Sequence, residues 1–529
     1  MTDIKCVFMV DGKPFFPLGG EWLYMSGYSV RSGSETDEAL KAVKQVHGNT
    51  LAIPVYWDEI EPAEGKFDFA NLDALLERAR RHGVKLILLW FATWKNGNMD
   101  FAPAWVKTNT QRFKRVISPT GKAIWVLSSH CKANFEADRK AFTILCSRLK
   151  AIDNLEHTVI GIQVENEPGI MGSDRDYGSE AQTTFNGSVP AKLVTAMKAT
   201  AKGRVYNVWQ EAGGKKSGVW SDLFGWEAGE IMTSWSIATY IDDIVKAGKA
   251  IYDIPMFINV WLMEQRWWPM PGEAYPSGGA VSKTLDVYKW FTPHVDFIAP
   301  DNYQPDSRGY EAVCATYARD DNPLFLVETT RGPSVFRALA DYNLIGYCTM
   351  GLEWIAAGDG LIDPESQTNI DICRCLAASI PLLLKYRGTG KIHAVIQEER
   401  MEKQLFDFDG YLGQVRFDAL NPPYRNIRKK TGSTRGWGLV IQASRNVFYL
   451  VGDNYQLYLR PKPSVDTMRS PLLVADWAHT LQGHFISVDE GHFDRNGEFV
   501  VECRRNGDQI GSSLWLEPNV GLVRAIMCD

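Results

Sequence analysis

The chain has 529 residues, enough for one large domain and a smaller one. Lys and Arg total 57 against 63 Asp and Glu, a net charge of −6, so the composition offers no basic field for nucleic acid. Met1–Lys5 lacks an apolar signal core, no stretch is long enough to cross a membrane, and nine scattered Cys favour reduced thiols. We therefore predict no membrane partner and a cytoplasmic location. A secreted or periplasmic location stays open if a leader was removed.

Apolar runs alternate with helical patterns along the first part of the chain. Thr36 is predicted to cap a helix that Gly48 ends, and the next helix, with Leu72 and Leu76 on its apolar stripe, is expected to end at Gly83. The third strand, over 85–91, is almost continuously apolar, which is typical of a parallel sheet buried on both faces. Strands are predicted at 15–20, 50–56, 85–91, 159–167, 256–260, 297–300, 324–327 and 347–352.

Eight strands separated mostly by helices predict the α/β class and a closed (β/α)8 (TIM) barrel over residues 1–385. An active site is then expected at the carboxyl ends of the strands. The long interval between the fourth and fifth strands contains Gly-rich and Ser-rich pieces, at 172–187 and 213–218, and predicts a set of loops over the mouth of the barrel.

The pattern changes after Lys385, where helical stripes give way to short alternating segments with turn pairs such as Asp409-Gly410 and Asn496-Gly497. Two apolar segments, 439–441 and 447–451, flank Ser444-Arg445-Asn446 like a hairpin. We predict that residues 386–529 form an antiparallel β-sandwich. Its role as a structural accessory packed on the barrel is favoured over carbohydrate binding.

Two of the predicted strands end in a carboxylate, Glu167 after the fourth and Glu328 after the seventh. Cleavage of a glycosidic bond needs one carboxylic acid to protonate the leaving oxygen and a second carboxylate at the anomeric carbon. We predict Glu167 as the acid/base, because Asn166 beside it can bind a sugar hydroxyl, and Glu328 as the nucleophile. The alternative for a lone strand-end Glu is a surface salt bridge.

The run Val164-Glu165-Asn166-Glu167-Pro168-Gly169 resembles the acid/base motif of glycoside hydrolase family 35, the β-galactosidases of a large clan of retaining barrels that also holds family 42. Residues 12–21 resemble that family's first strand, Tyr56 to Pro62 its second-strand loop, and Pro103-Ala104-Trp105 the segment after its third strand. The likeness covers about residues 10–360. It implies a retaining mechanism with Glu167 and Glu328 in the roles above.

The chain departs from the family after the third strand. Many members carry Ala-Glu-Trp there to grip galactose, whereas this chain has Trp94-Lys95-Asn96-Gly97, which resembles a divergent branch near family 42. Further residues near the predicted mouth are candidates for substrate binding, and the alternative for them is core packing or another structural role. The substrate-binding candidates are Glu21, Tyr56, Lys95, Asn96, Asn166, Asn259, Tyr303 and Trp354, with Trp261, Trp267 and Trp268 as a possible wall for the leaving group.

Other chemistries find little support. The nine His give no HExxH and no zinc set, and GxSxG, the P-loop and GxGxxG after a strand are missing, so we predict no metal and no cofactor. The sequence predicts an exo-acting retaining β-galactosidase with a carbohydrate substrate. Specificity for an arabinoside, fucoside or glucoside and a catalytically inactive sugar-binding protein are the alternatives. The oligomeric state stays open, a homodimer included.

Overall fold

The architecture comes from a computed structural model, which describes residues 7–22, 33–265, 268–355, 364–417, 435–462, 483–510, 513–516 and 521–528. Within these ranges, no helix is both long and apolar enough to span a lipid bilayer. The eight cysteines in this part of the chain are free thiols, six of them buried.

Seven parallel strands form the sheet of the first domain. Along the sheet they run in the order β10-β9-β8-β5-β4-β3-β11, preceded in the chain by the short hairpin β1–β2. A further two-stranded hairpin, β6–β7, follows β5. The strands are β1 Met9–Val10, β2 Lys13–Pro14, β3 Leu18–Glu21, β4 Thr50–Tyr56, β5 Lys85–Lys95, β6 Arg115–Ile117, β7 Ala123–Leu127, β8 Val159–Asn166, β9 Met256–Trp261, β10 Ile298–Asp301 and β11 Tyr347–Met350.

Helices connect these strands and cover the outside of the sheet. They are α1 Gly33–Gln45, α2 Trp57–Ile60, α3 Ala70–His82, α4 Ala104–Thr108, α5 Lys132–Asp153, α6 Ser179–Phe185, α7 Ala191–Thr200, α8 Arg204–Glu211, α9 Trp220–Phe224, α10 Ala228–Lys249, α11 Leu285–Phe291, α12 Ser307–Tyr317, α13 Ser334–Tyr342 and α14 Pro364–Tyr386. As predicted, Gly83 ends α3 with a left-handed backbone, φ 60°. Helix α1, in contrast, begins at Gly33, so Thr36 lies inside it and is not its cap.

Alternate residues of each strand face two different cores, which is why the strands are apolar throughout. In β5, Leu86, Leu88 and Trp90 pack outward against the helices, whereas Ile87 and Leu89 fill the barrel interior. The interior is rich in Phe. The chain therefore adopts the predicted TIM barrel, with a closed and packed centre.

The predicted seventh strand, over 324–327, is not a regular strand. Two isolated parallel bridges, Leu326 with Tyr347 and Asn302 with Thr329, hold this segment between β10 and β11, where it closes the ring. One reason for the irregularity is Asn322, whose amide accepts from the backbone N–H of Ile298 at 2.8 Å and donates to its carbonyl at 3.0 Å. A side chain thus takes the place of a backbone ladder partner.

The interval between β8 and β9 also differs from the prediction. The five helices α6 to α10 occupy it, and the last of them packs against α5 as part of the barrel's outer layer. The Gly-rich piece at 172–187 contains α6, and the piece at 213–218 connects α8 with α9. The prediction of loops alone was wrong. The buried faces of α8 and α10 supply apolar contacts, but in the sequence the Gly-rich pieces obscured these helical patterns.

The last part of the chain consists of two antiparallel sheets. The six-stranded sheet has the order β12-β15-β16-β21-β18-β19 and the four-stranded one β13-β14-β17-β20. Their facing side chains share one core, so the predicted β-sandwich is confirmed, as is the hairpin β15–β16. The elements are β12 Ile392–Ile396, β13 Lys403–Asp407, β14 Tyr411–Arg416, β15 Trp437–Ser444, β16 Val447–Asp453, β17 Tyr455–Pro461, β18 Phe485–Phe493, β19 Phe499–Arg504, α15 Gly507–Ile510, β20 Leu514–Leu516 and β21 Leu522–Met527.

The outer face of the six-stranded sheet packs against the barrel. Trp437 and Leu439 of β15 belong to the same apolar cluster as the helices α13 and α14. The ring of Trp437 stacks on Phe336 of α13 with centroids 5.5 Å apart and an interplanar angle of 12°. The sandwich is therefore joined to the barrel through a continuous apolar core.

Candidate active site

Four carboxylates meet at the carboxyl ends of the barrel strands. Glu21 ends β3, Glu167 follows β8, Asp301 ends β10, and Glu328 lies on the segment between β10 and β11. All four side chains are buried. The parallel arrangement of the strands brings together residues that lie up to 307 positions apart in the chain.

The backbone at the end of β8 aims Glu167 into the site. Glu165 and Glu167 have positive φ angles of 64° and 47°, a conformation that costs a non-glycine residue about 1–2 kcal/mol. The N–H of Glu167 donates to the Asn259 side-chain oxygen at 2.8 Å, and Asn96 donates to its carboxylate at 2.5 Å. These bonds hold the strained turn in place.

Glu328 faces Glu167 across the site. One carboxylate oxygen from each of Glu167, Asp301 and Glu328 lies within 4.8 Å of the other two. The hydroxyl of Tyr303 donates to Glu328. Tyr303, predicted as a substrate-binding residue, thus orients Glu328.

Burial and charge shift the acidity of Glu167. Removal from water, and then the negative charge of Glu328, raise its pKa to about 7, while Lys95 and hydrogen bonds from neighbours act in the opposite direction. A carboxyl group with this pKa still carries its proton in a large fraction of molecules near neutral pH. Glu167 can therefore act as a general acid there.

Glu21 and Asp301 also hold their protons more strongly than usual. Burial, followed by the charge of Glu328, raises the pKa of each well above its ordinary value. Glu21 lies in hydrogen-bonding contact with Glu328 and Asp301 with Glu167. Like charges this close oppose one another, so Glu21 and Asp301 each keep a proton to higher pH than an ordinary carboxyl group.

The sequence interpretation missed Asp301. It directly follows the predicted strand at 297–300, so the criterion that selected Glu167 and Glu328, a carboxylate at a strand's carboxyl end, would have found it. In the structure its carboxylate accepts from the amide of Asn259 at 2.8 Å. Asn259 therefore connects Asp301 with the backbone of Glu167.

A second buried carboxyl pair supports the site from behind. Asp138 of α5 accepts from the Thr93 hydroxyl at 2.6 Å and from the Trp90 indole at 3.1 Å. Glu165 accepts from the N–H of Trp94 at 2.7 Å and contacts Asp138. Burial raises the pKa of both acids, so the pair shares a proton and links β5, β8 and α5.

The structure also locates the other predicted binding residues. Lys95 donates to the side-chain oxygen of Asn166, whose amide nitrogen is buried and has no partner among the described residues. Tyr56 packs inside the barrel, its ring stacked 4.6 Å from Phe101. Trp354 is 47% exposed and lies under the guanidinium of Arg331.

The aromatic residues after β9 are only partly described. Trp261 is partly buried against the core of the barrel, and Trp268 is exposed on the surface. Trp267, which was grouped with them as a possible wall for the leaving group, lies outside the described residues.

The carboxylates of Glu167, Asp301 and Glu328 form an acidic cluster whose geometry could also admit a cation. Hydrogen bonds already engage each of its three carboxylates, however: Asn96 donates to Glu167, Asn259 to Asp301 and Tyr303 to Glu328. An acidic cluster with these partners fits proton chemistry without a metal, and it is what a barrel that hydrolyses glycosides requires.

Comparison with known proteins agrees with that class. Residues 30–212 match the model of glycoside hydrolase family 42, described as beta-galactosidase, and residues 374–517 match a domain of unknown function, DUF5597. The sequence assignment to family 35 is not supported. The motifs on which it rested, above all Asn-Glu-Pro, are shared across the clan, so they do not separate family 35 from family 42. No curated protein shows significant similarity to the chain.

Three solved structures illustrate the likeness of fold. A β-galactosidase from the psychrophilic Marinomonas ef1 is 14% identical, with 70% of this chain and 62% of that chain covered and a TM-score of 0.47. A catalytic mutant of a GH42 β-galactosidase from G. stearothermophilus is 15% identical, with coverages of 70% and 57% and a TM-score of 0.47. The catalytic domain of β-amylase from Paenibacillus polymyxa is 13% identical, with coverages of 68% and 98% and a TM-score of 0.47. The chain thus spans less than two thirds of the length of the first two.

Proposed function

We propose that the protein is a retaining glycoside hydrolase that releases terminal non-reducing β-galactose. The observation that carries this proposal is that one carboxylate oxygen of Glu167 lies within 4.8 Å of one carboxylate oxygen of Glu328. Retaining enzymes hold their two carboxyl groups about 5–5.5 Å apart, whereas inverting enzymes need about 6.5–9.5 Å to admit a water molecule. The match of residues 30–212 to a β-galactosidase family supports the same class.

In the first step, the Glu328 carboxylate attacks the anomeric carbon while the bond from that carbon to the leaving oxygen breaks. Glu167 gives its proton to the departing oxygen, which leaves as an alcohol, and a glycosyl ester forms on Glu328. In the second step, Glu167 takes a proton from water. The resulting hydroxide attacks the anomeric carbon, and Glu328 leaves as a carboxylate with the sugar's configuration retained.

Two buried groups are suited to bind the sugar at the reacting carbon. The amide nitrogen of Asn166 lacks a partner among the described residues, and the carboxyl group of Glu21, apart from its contact with Glu328, accepts from no donor among them. Buried polar groups usually find hydrogen bonds, so both are candidates to pair with sugar hydroxyls. Lys95 supports Asn166, Asn96 and Asn259 support Glu167, and Tyr303 supports Glu328. Tyr56 and Trp354 remain candidates for apolar contact with the ring.

Exo action and galactose specificity are the finer parts of the proposal. Helices α6 to α10 lie between the strands that carry Glu167 and Asn259 and favour a pocket over an open cleft. The loop at 94–97 lacks the Glu that grips galactose in many relatives of the motif, so a related sugar such as an α-arabinoside, β-fucoside or β-glucoside is the second candidate. A cytoplasmic location and the lack of a nucleic-acid partner are proposed on composition alone.

A panel of aryl glycosides tests the proposal. Wild-type protein should hydrolyse the aryl β-galactoside faster than the β-glucoside, β-xyloside, α-arabinoside or β-fucoside, and NMR should detect the β-anomer first. Preference for another sugar would contradict the proposed galactose specificity but would leave the proposed retaining mechanism unchanged. An inverted first product would overturn the retaining mechanism, and inactivity toward the whole panel would favour a sugar-binding protein.

Two variants separate the catalytic roles. Glu328→Ala should abolish turnover of every substrate, because the glycosyl ester cannot form. Glu167→Ala should slow substrates with poor leaving groups by about 10²–10⁴-fold and activated aryl substrates far less, because only the former need protonation. Glu353→Ala is the matched control, since Glu353 is another acidic residue near the mouth. If Glu353→Ala lost all turnover and Glu328→Ala kept it, the nucleophile would be misassigned.

A further inference from the structure

The hairpin β6–β7 exposes an indole ring on the catalytic face of the barrel. Trp125 of β7 is 43% exposed. The hairpin follows β5 and precedes α5, so it belongs to the connections at the carboxyl ends of the strands, where barrel active sites lie. A single exposed apolar side chain is common on protein surfaces, so a binding role for this ring depends on how it is held and on which segment it contacts.

The ring of Trp125 is fixed in one orientation. Its indole N–H donates to the carboxylate of Asp100 at 2.8 Å. The guanidinium of Arg115, on the paired strand β6, lies 4.7 Å from the ring centroid. Arg115 is held in turn by the carbonyl of Lys107 at 2.9 Å. Such a ring is pre-organised, so a ligand that stacks on it loses little conformational entropy in the protein.

Backbone contacts place Trp125 beside the acid/base. The N–H of Met99 donates to the carbonyl of Trp125 at 3.1 Å. Met99 ends the tight turn that begins at Lys95 and carries Asn96, which donates to the carboxylate of Glu167. The strand that carries Trp125 is therefore attached to the segment whose Asn96 contacts the carboxylate of Glu167.

The opposite side of the mouth has a ring of similar construction. Trp354, after β11, lies with its centroid 5.7 Å from the guanidinium of Arg331. Trp354 neighbours the strand ends that carry Glu21 and Glu328, where the cleaved sugar would sit. The two rings thus lie at different parts of the mouth, Trp354 on the nucleophile's side and Trp125 on the side of the acid/base.

We propose that Trp125, held by Asp100 and Arg115, is a stacking platform for the first sugar of the leaving group. This inference rests on the proposed function, because it takes Glu167 as the group that faces the leaving oxygen. A pyranose ring offers a flat face of C–H bonds that suits an indole. The natural leaving group is then a sugar ring such as glucose or xylose, rather than a small alcohol, and the substrate is an oligosaccharide.

The test compares two substrates that share the galactosyl group but differ in the leaving group. Lactose places a glucose ring on the leaving side, whereas β-galactosyl fluoride places only a halide there. Trp125→Ala should lower kcat/KM for lactose about tenfold and leave kcat/KM for the fluoride unchanged, because only the sugar can stack on the ring. Trp125→Phe should lose less, since it keeps an aromatic ring but lacks the bond to Asp100.

Leu405→Ala is the matched control, because Leu405 on β13 has the same exposed fraction, 43%, far along the chain in the sandwich. It should change neither reaction. Equal losses for lactose and the fluoride, or no loss for either, would overturn the platform. Calorimetric titration of lactose into a Glu328→Gln background, with and without Trp125→Ala, reports on the platform without turnover. Wild-type protein inactive toward both substrates would overturn the proposed function, while weaker lactose binding after Trp125→Ala would still support the platform.

Discussion

At the scale of single residues, the site is governed by the crowding of carboxyl groups. Glu21, Glu167, Asp301 and Glu328 are buried together, and Lys95 is the cation whose charge favours ionised Glu21 and Glu167. Burial opposes every negative charge in this space, and each charge opposes the next. The protons are therefore distributed over the group, and the acidity of one member depends on its neighbours.

The acidity of Glu167 leads to a prediction about pH. Because the first step needs protonated Glu167 and its pKa is about 7, kcat/KM should fall as the pH rises through about 7. Replacing Glu328 by Gln removes the charge that raises this pKa, so the pKa of Glu167 should move down toward its ordinary value. NMR titration of labelled Glu side chains measures the change. Glu353→Gln should leave the titration of Glu167 as in wild type, and an unchanged pKa in Glu328→Gln would contradict the coupling.

Asp301 provides a second prediction at this scale. Asn imitates the protonated form of Asp301, because it keeps an acceptor for Asn259 and a donor toward Glu167. Asp301→Asn should therefore retain kcat within a few-fold. Asp301→Ala removes a hydrogen bond that favours ionised Glu167. The alkaline limb of the pH–rate profile of Asp301→Ala should therefore move to higher pH. The kcat of this variant should fall about 10-fold or more. Full pH–rate profiles of Asp301→Asn and Asp301→Ala measure both effects. Equal damage in the two would indicate that the ionised carboxylate of Asp301 is needed.

At the scale of elements, the end of β8 is a strained turn held from several sides. Two positive φ angles within three residues turn the chain so that Glu165 points to the outer layer and Glu167 to the site. Glu165 contacts Asp138 of α5, and Tyr240 of α10 also donates to Asp138, at 3.3 Å. The outer helices α5 and α10 thereby help to determine where Glu167 lies.

Loss of Asp138 should therefore affect both stability and catalysis. Asp138→Ala removes the buried partner of the Trp90 indole and of the Glu165 carboxyl group. It also leaves one hydroxyl of Thr93 and Tyr240 without an acceptor, because these two hydroxyls lie 2.9 Å apart and only one of them can donate to the other. Each unsatisfied group costs about 1–3 kcal/mol. We expect a free energy of unfolding lower by at least about 3 kcal/mol and a reduced kcat at temperatures where the variant stays folded. Denaturant unfolding and initial rates measure the two effects. Asp138→Asn keeps the shape and one acceptor, so its free energy of unfolding and its kcat should lie between those of Asp138→Ala and wild type. If both quantities matched wild type, the proton of the carboxyl pair would be irrelevant.

At the scale of the whole molecule, the sandwich and the barrel share one apolar core. The six-stranded sheet has one face against the four-stranded sheet and the other against α13 and α14. Such a sheet is buried on both sides, which explains why β15 and β16 read as continuous apolar runs. The sandwich thus covers a helical surface of the barrel that would otherwise be exposed.

Trp437 at this junction provides a test of that coupling. It is fully buried and stacks on Phe336, so Trp437→Ala should lower the free energy of unfolding by about 3–5 kcal/mol. The barrel helices lose their cover when the sandwich unfolds, so barrel and sandwich of this variant should still unfold in one transition. Denaturant titration with fluorescence and circular dichroism monitors that transition. Leu405→Ala, on the exposed side of the sandwich, should cost less than 1 kcal/mol, as is usual at the surface. A change as small for Trp437→Ala would argue against a shared core.

The sequence by itself determined the architecture and the central pair of acids. Apolar runs such as 85–91 are typical of a sheet buried on both faces, and a Glu that follows such a run is expected at the carboxyl end of a barrel strand, where active sites lie. Local pattern was insufficient where side chains replace backbone partners, as Asn322 does beside the seventh segment, and where helix faces are hidden among Gly-rich pieces, as between β8 and β9. The tertiary structure alone decided the role of Asp301, the proton sharing around Glu21 and the position of Trp125 near Glu167. Each of these depends on distances between residues far apart in the chain, and the acidity of a carboxyl group is set by those distances and by burial, neither of which a linear sequence contains.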